Sequence, residues 1–233
     1  MNFPHRLLIS SRALIIAMMA ATFSSVSLAG GVALGATRIV YPADARQVTL
    51  PITNTDDKSR FLIKAWAEDS EGKKTSDFTV TPPLFMIGPS NEHILSLRLN
   101  AVSPLPSDRE TLYWFNAQAI PQHDASKGEN VLQLAALSKI KVFVRPAGLS
   151  IKPLEAPDHL RFSYQGESLV VHNPTPYHIT LVSLMEGDAG LPNTMVPPNA
   201  SLSLKASGKK GPITFRTIND YGAITDVVEG VMK

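Results

Sequence analysis

The sequence predicts an all-β protein made of two β-sandwich domains in series, and three observations carry that prediction. Beyond position 30, apolar residues recur with period two nearly everywhere, which is the signature of half-buried strands. The 18 prolines suit turns and strand edges and disfavour helix interiors. No segment shows a helical stripe longer than two or three turns.

The first segment stands apart. "MNFPHRLLISSRALIIAMMAATFSSVSLAG" has Arg6 and Arg12 at its start, no acidic residue, and an apolar run from Ala13 to Ala21. Ser27 and Ala29 supply the small residues at the spacing a signal peptidase needs, so residues 1–29 are expected to be a cleaved signal peptide. The apolar run is too short for a permanent membrane-spanning helix. Losing two of the 22 basic residues leaves them equal in number to the 20 acidic ones. No global field then favours nucleic acid or an anionic membrane, and neither is expected as a partner.

The strands follow in order. "RQVTLPITN" alternates Val48, Leu50 and Ile52, and "HILSLRLN" alternates Leu95, Leu97 and Leu99. The clusters "NTDDKS", "EGKK" and "GPSNE" read as the turns between such strands. "NVLQLAALSKIKVFVRP", Asn130 to Pro146, reads as one extended strand of unusual length, apolar on both faces and carrying Lys139 and Lys141 near its end. "RPAGLSIKPLEAP" then marks a hinge or linker. Residues 31–146 have room for about seven strands and form the first domain. Residues 151–233 form the second, with hairpins such as "RFSYQGESLVVHN" and the alternating "YHITLVSLM".

Enzymatic chemistry finds little footing. The absence of cysteine removes thiol nucleophiles, thiolate zinc sites and iron–sulfur clusters. The histidines lack metal-binding spacing, and His172 and His178, flanking "NPTPY", read as loop or strand-end residues. There is no G-x-S-x-G elbow, and "ASGKKG" reads as a solvated turn rather than a phosphate loop. Asp56–Asp57 and Glu68–Asp69 read as turn chemistry. No catalytic residue, metal or cofactor is expected.

Six motifs occur in a fixed order: "GVALGATRIVYP", "TPPLF", "LPSDRETLYWFNAQAIP", "NPTPY", "VPP" and "RTINDYGA". The set resembles the periplasmic chaperones of the chaperone–usher pilus pathway, most of all the type 1 fimbrial branch, over essentially the whole chain after the signal. The resemblance implies two immunoglobulin-like sandwiches in an L or boomerang. It also implies a periplasmic protein that binds incomplete pilus subunits, lends them its G1 strand (Asn130 to Val144), and passes them to an outer-membrane usher. The implied knobs for the subunit's groove are Leu132, Leu134 and Ala136, which share one face of a strand. Ala136 stands where a bulkier aliphatic is expected.

The resemblance further implies that Arg38 and Lys141 anchor the subunit's terminal carboxylate. Lys141 is preferred to Lys139 because its distance to "RP" agrees with the family motif. Glu110, Arg145 and Asp220 are implied as an ion network tying the domains together. The short "QHDASKGEN" connection fits the branch that serves rod-like pili. The alternative from another class, a secreted structural or adhesive two-domain immunoglobulin-like protein, would need a longer alternating extension than "GGVALGA".

Overall fold

The computed structural model describes residues 31–100, 102, 104–122, 134–208 and 210–233. The expected signal peptide and Leu132 lie outside those residues.

The first sandwich holds nine strands in chain order: β1 (Val32–Leu34), β2 (Arg38–Pro42), β3 (Val48–Asn54), β4 (Phe61–Glu68), β5 (Phe78–Thr81), β6 (Leu84–Ile87), β7 (Glu92–Leu99), β8 (Thr111–Pro121) and β9 (Ala136–Arg145). One sheet runs β1-β3-β7-β5 and the other β2-β9-β8-β4-β6. Two breaks explain why about seven expected strands are nine. The opening segment changes sheets between β1 and β2, at Gly35, where an added Cβ would press on the Pro51 ring at 3.1 Å. Pro82 and Pro83 separate β5 from β6.

Period-two alternation sorts the residues between core and outside. Ile39 and Tyr41 of β2 and Val142 and Val144 of β9 face the first core with Leu50, Ile52 and Phe115. Arg38 and Val40, on the opposite parity of β2, face outward.

The second sandwich also holds nine strands: β10 (Arg161–Gln165), β11 (Ser168–Asn173), β12 (Ile179–Glu186), β13 (Ala189–Gly190), β14 (Thr194–Val196), β15 (Ala200–Lys205), β16 (Ile213–Thr217), β17 (Val228–Glu229) and β18 (Val231–Met232). Its sheets run β15-β11-β10-β18 and β13-β12-β16-β17, with β14 also on β12. The hairpin read in "RFSYQGESLVVHN" closes between Gln165 and Ser168, with Gly166 at φ +59°, the left-handed geometry a two-residue turn requires. The segment expected to be a hinge is docked: Leu149 and Ile151 pack on the second core and Ala156 is buried.

The long G1 strand expected from Asn130 starts, among the described residues, at Ala136. Asn130 to Gln133 lie outside the described residues, and the pairing geometry accounts for Leu134 and Ala135. On one side the β8 ladder reaches no further than Ala119 opposite Ala136, and on the other β2 begins only at Arg38, opposite Lys141. Among the described residues, Leu134 and Ala135 have no ladder partner, and both stand exposed.

Candidate functional site

β9 carries the site, and its two ends differ. Its trailing end is clamped between β8 and β2, with Val142, Phe143 and Val144 all buried. Its leading end is open: Leu134 is 72% exposed and Leu137 55%, and Ala136 is exposed too. Exposed apolar side chains beside an unpaired strand edge are the features that invite another strand.

Arg38 and Lys141 meet where the open end becomes the clamped end. β2 pairs with β9 in parallel, and Arg38 and Lys141 are register partners, so both point out from the same sheet face. The Arg38 Nη1 donates to Ile218 O of the second domain at 3.0 Å, and its guanidinium lies 5.7 Å from the Phe143 ring centre. The buried Arg38 Nε has no partner. Lys141 has no ion-pair partner among the described residues. Burial pushes its ammonium below the usual lysine range, and the neighbouring Arg38 charge pushes it further the same way. Burial also lowers Arg38, against the raising pull of Asp220 and Glu110. Two half-buried cations side by side, one with an idle N–H, form a receptor for an anion with more than one oxygen.

The three expected ion-network residues also come together. Arg145 Nε and Nη2 reach Glu110 Oε1 at 2.9 and 2.8 Å, while Nη1 and Nη2 make a two-pronged contact with Asp220 at 2.7 and 2.8 Å. Burial alone would lower the guanidinium; its hydrogen bonds to Asp220 and the field of Glu110 overcome that and raise it. Glu110 is 4% exposed and spends its other oxygen on the His178 backbone N–H at 2.8 Å, with the His178 ring at 3.2 Å.

"NPTPY" is built to present that N–H. Buried Asn173 donates to Tyr177 O and Pro197 O and accepts from the Thr175 N–H and hydroxyl, which fixes the loop. Pro176 O in turn accepts from Glu110 N. Asp220 sits in a turn held by Asn219, whose Oδ1 accepts from Tyr221 N and Ala223 N. In the same turn Gly222 has φ +82°, and a Cβ there would collide with Thr37 Oγ1 in the run-up to β2. A cavity of about 310 Å³ lies between the domains, lined by Arg38, Phe143, Arg145, Tyr177 and Asp220 among others; Lys141 is not part of its wall.

Lys139, the rejected anchor, is occupied. Its Nζ is 2.7 Å from Glu68 Oε2, and Glu68 Oε1 accepts from Trp66 Nε1 at 2.8 Å. Both Lys139 and Lys141 approach the Trp114 ring, at 5.0 and 6.0 Å. Glu68 closes β4 and its side chain reaches across the sheet, so it is not the turn residue the sequence reading made it; Asp69 is, accepting from Glu71 N and Lys73 N.

A family model described as pili and flagellar-assembly chaperone, PapD N-terminal domain, matches residues 31–150, and one described as pili assembly chaperone PapD, C-terminal domain, matches residues 155–228. The chain belongs to the pili assembly chaperone family. It is 48% identical over 206 residues to the chaperone protein FocC of Escherichia coli, covering 87% of this chain and 91% of that one. With the chaperone protein FimC of E. coli K12 it shares 45% over 217 residues, covering 91% and 90%. The crystal structure of the periplasmic chaperone SfaE superposes with a TM-score of 0.78 at 45% identity, covering 87% of this chain and all of that one. The SafB chaperone, solved in complex with the Salmonella enterica SafA pilin, gives 0.79 at 29% identity over 86% and 96%.

The two sandwiches are thus the immunoglobulin-like pair of this family in its L-shaped arrangement. The chaperone is a periplasmic, non-catalytic protein of the chaperone–usher pathway that binds pilus subunits by strand donation. Sequence reasoning missed three parts of this site: His178 as a partner of Glu110, Ile218 O as a holder of Arg38, and Glu68 as the mate of Lys139. Parity alone puts Glu68 and Lys139 on outward faces; the register across β4, β8 and β9 lines Glu68 up with Lys141, and its side chain reaches Lys139 on the diagonal.

Proposed function

We propose that Arg38 and Lys141 grip the terminal carboxylate of an incomplete pilus subunit, while Leu134, Ala136 and, outside the described residues, Leu132 fill the groove its missing strand leaves. The observation that carries this reading is the Arg38–Lys141 register pair, two half-buried cations with no carboxylate partner among the described residues, beside an open strand edge. A carboxylate placed there gains charge-assisted hydrogen bonds and relieves the repulsion between the two. It also sets the register of the added strand, since a one-residue slip turns every side chain to the wrong face. Glu110, Arg145 and Asp220 act on the angle between the domains rather than on the subunit. Residues 1–29 act as a signal removed after Ala29, and the loaded chaperone delivers its subunit to the usher.

The test uses Arg38→Ala and Lys141→Ala in cells co-expressing a pilus subunit. Each variant is expected to keep the circular dichroism of the parent and to lose subunit capture by about tenfold or more, the scale of one charge-assisted bond. Capture equal to that of the parent overturns the anchor role. Intact mass of the periplasmic protein is expected to correspond to residues 30–233; another start overturns the cleavage site.

A further inference from the structure

From the Lys139–Glu68 pair we infer that Glu68 is a register-positioning residue: by engaging Lys139 it withdraws a competing anchor and, of the two lysines, leaves Lys141 open to a subunit's terminal carboxylate. This rests on the anchor reading above and adds to it the question of how one register is chosen.

A slip of one residue is excluded by the strand's alternation, but a slip of two is not. It keeps every side chain on its face and moves the added strand by only about 6.6 Å. Lys139 and Lys141 are two residues apart, share the outer face of the sheet, and both lie over the same Trp114 ring, at 5.0 and 6.0 Å. Chemistry and parity therefore make Lys139 a competing cation for a strand shifted by two. The structure distinguishes the two lysines by their counter-ions. Lys139 is 2.7 Å from Glu68 Oε2, and Glu68 is itself held by Trp66 Nε1 at 2.8 Å with its side chain only 14% exposed. Lys141 has Arg38, another cation, as its register neighbour. The bond to Lys139 holds the Glu68 carboxyl below its ordinary value, so it stays ionised at neutral pH. An incoming carboxylate meets a neutralised pair at one position and a doubled positive charge at the next.

The experiment places Glu68→Gln, Lys141→Ala and the double variant beside the parent, with a co-expressed pilus subunit as probe. Because the chaperone has no cysteine, one cysteine at position 137 and one near the subunit's C-terminus report register as a disulfide. Lys141→Ala alone is expected to lose capture. Glu68→Gln with Lys141→Ala is expected to regain about fivefold over Lys141→Ala, with the disulfide showing a strand shifted by two residues. Lys139→Gln is expected to leave capture and register as in the parent. A double variant no better than Lys141→Ala, its fold intact by circular dichroism, overturns the role of Glu68 while the anchor reading stands. Parent-like capture by Lys141→Ala overturns both. If Glu68→Gln unfolds the protein, Glu68→Ala and Lys139→Gln carry the same comparison, and a Lys139→Gln defect in capture overturns the inference.

Discussion

The two ends of β9 are one strand under two regimes. From Val142 to Val144 it is paired on both sides and buried, and Arg145 closes it with an ion network. Around Leu134 to Leu137 it shows apolar side chains to water beside an edge with little pairing. The same residue types thus serve stability at one end and are held in reserve at the other. What separates them is the reach of the neighbouring strands, not hydrophobicity.

Substitutions should divide along that line. The largest loss of stability is expected from Glu110→Ala, which leaves the buried side of Arg145 without its carboxylate; about 3–5 kcal/mol is typical for a broken buried pair, lowering Tm by about 2–4 °C per kcal/mol. A shift under one degree would show the network to be dispensable. Val142→Ala in the clamped core should cost about 2 kcal/mol by chemical denaturation. At the open end, Leu134→Glu should change stability by no more than about 0.5 kcal/mol. It should nonetheless lower the yield of chaperone–subunit complex more than Ala136→Glu does, and equal yields would remove the distinction between those positions.

Lys141→Met sharpens the comparison further. Burial and Arg38 disfavour the charged lysine in the folded protein, so this variant should be as stable as the parent or more so while losing capture.

The smallest effect is expected from pH at the Glu68–Lys139 pair. The folded carboxyl lies below its ordinary 4.5, chiefly through the Lys139 hydrogen bond. Its stabilisation is therefore complete above about pH 4.5 and fades as the pH falls through the lower folded value. The Tm difference between the parent and Glu68→Gln should shrink correspondingly in acid; a constant difference would mean the pair contributes nothing through charge.

The strand parities and both sandwiches were legible in the chain because period two is a local property, whereas Arg38 and Lys141 were singled out only through the family resemblance of their motifs, and the fold makes them register partners. What escaped was relational. Leu134 and Ala135 read as strand because side-chain alternation says nothing about whether a neighbour is present to pair. Glu68 read as a turn residue because it precedes Asp69 and a turn, and its partner lies 71 positions away. His178 gave no signal because its backbone N–H, rather than a distinctive side-chain pattern, makes the 2.8 Å contact with Glu110.

The approach of Gly222 to Thr37, together with the bond from Arg38 to Ile218 O, has a mechanical consequence. The second sandwich leans on the run-up to β2 and holds the guanidinium that β2 carries, whereas Lys141 is seated wholly in the first. Flexing the two halves would therefore act like opening a pair of tongs, drawing Arg38 away from Lys141 without disturbing the strand that a subunit borrows.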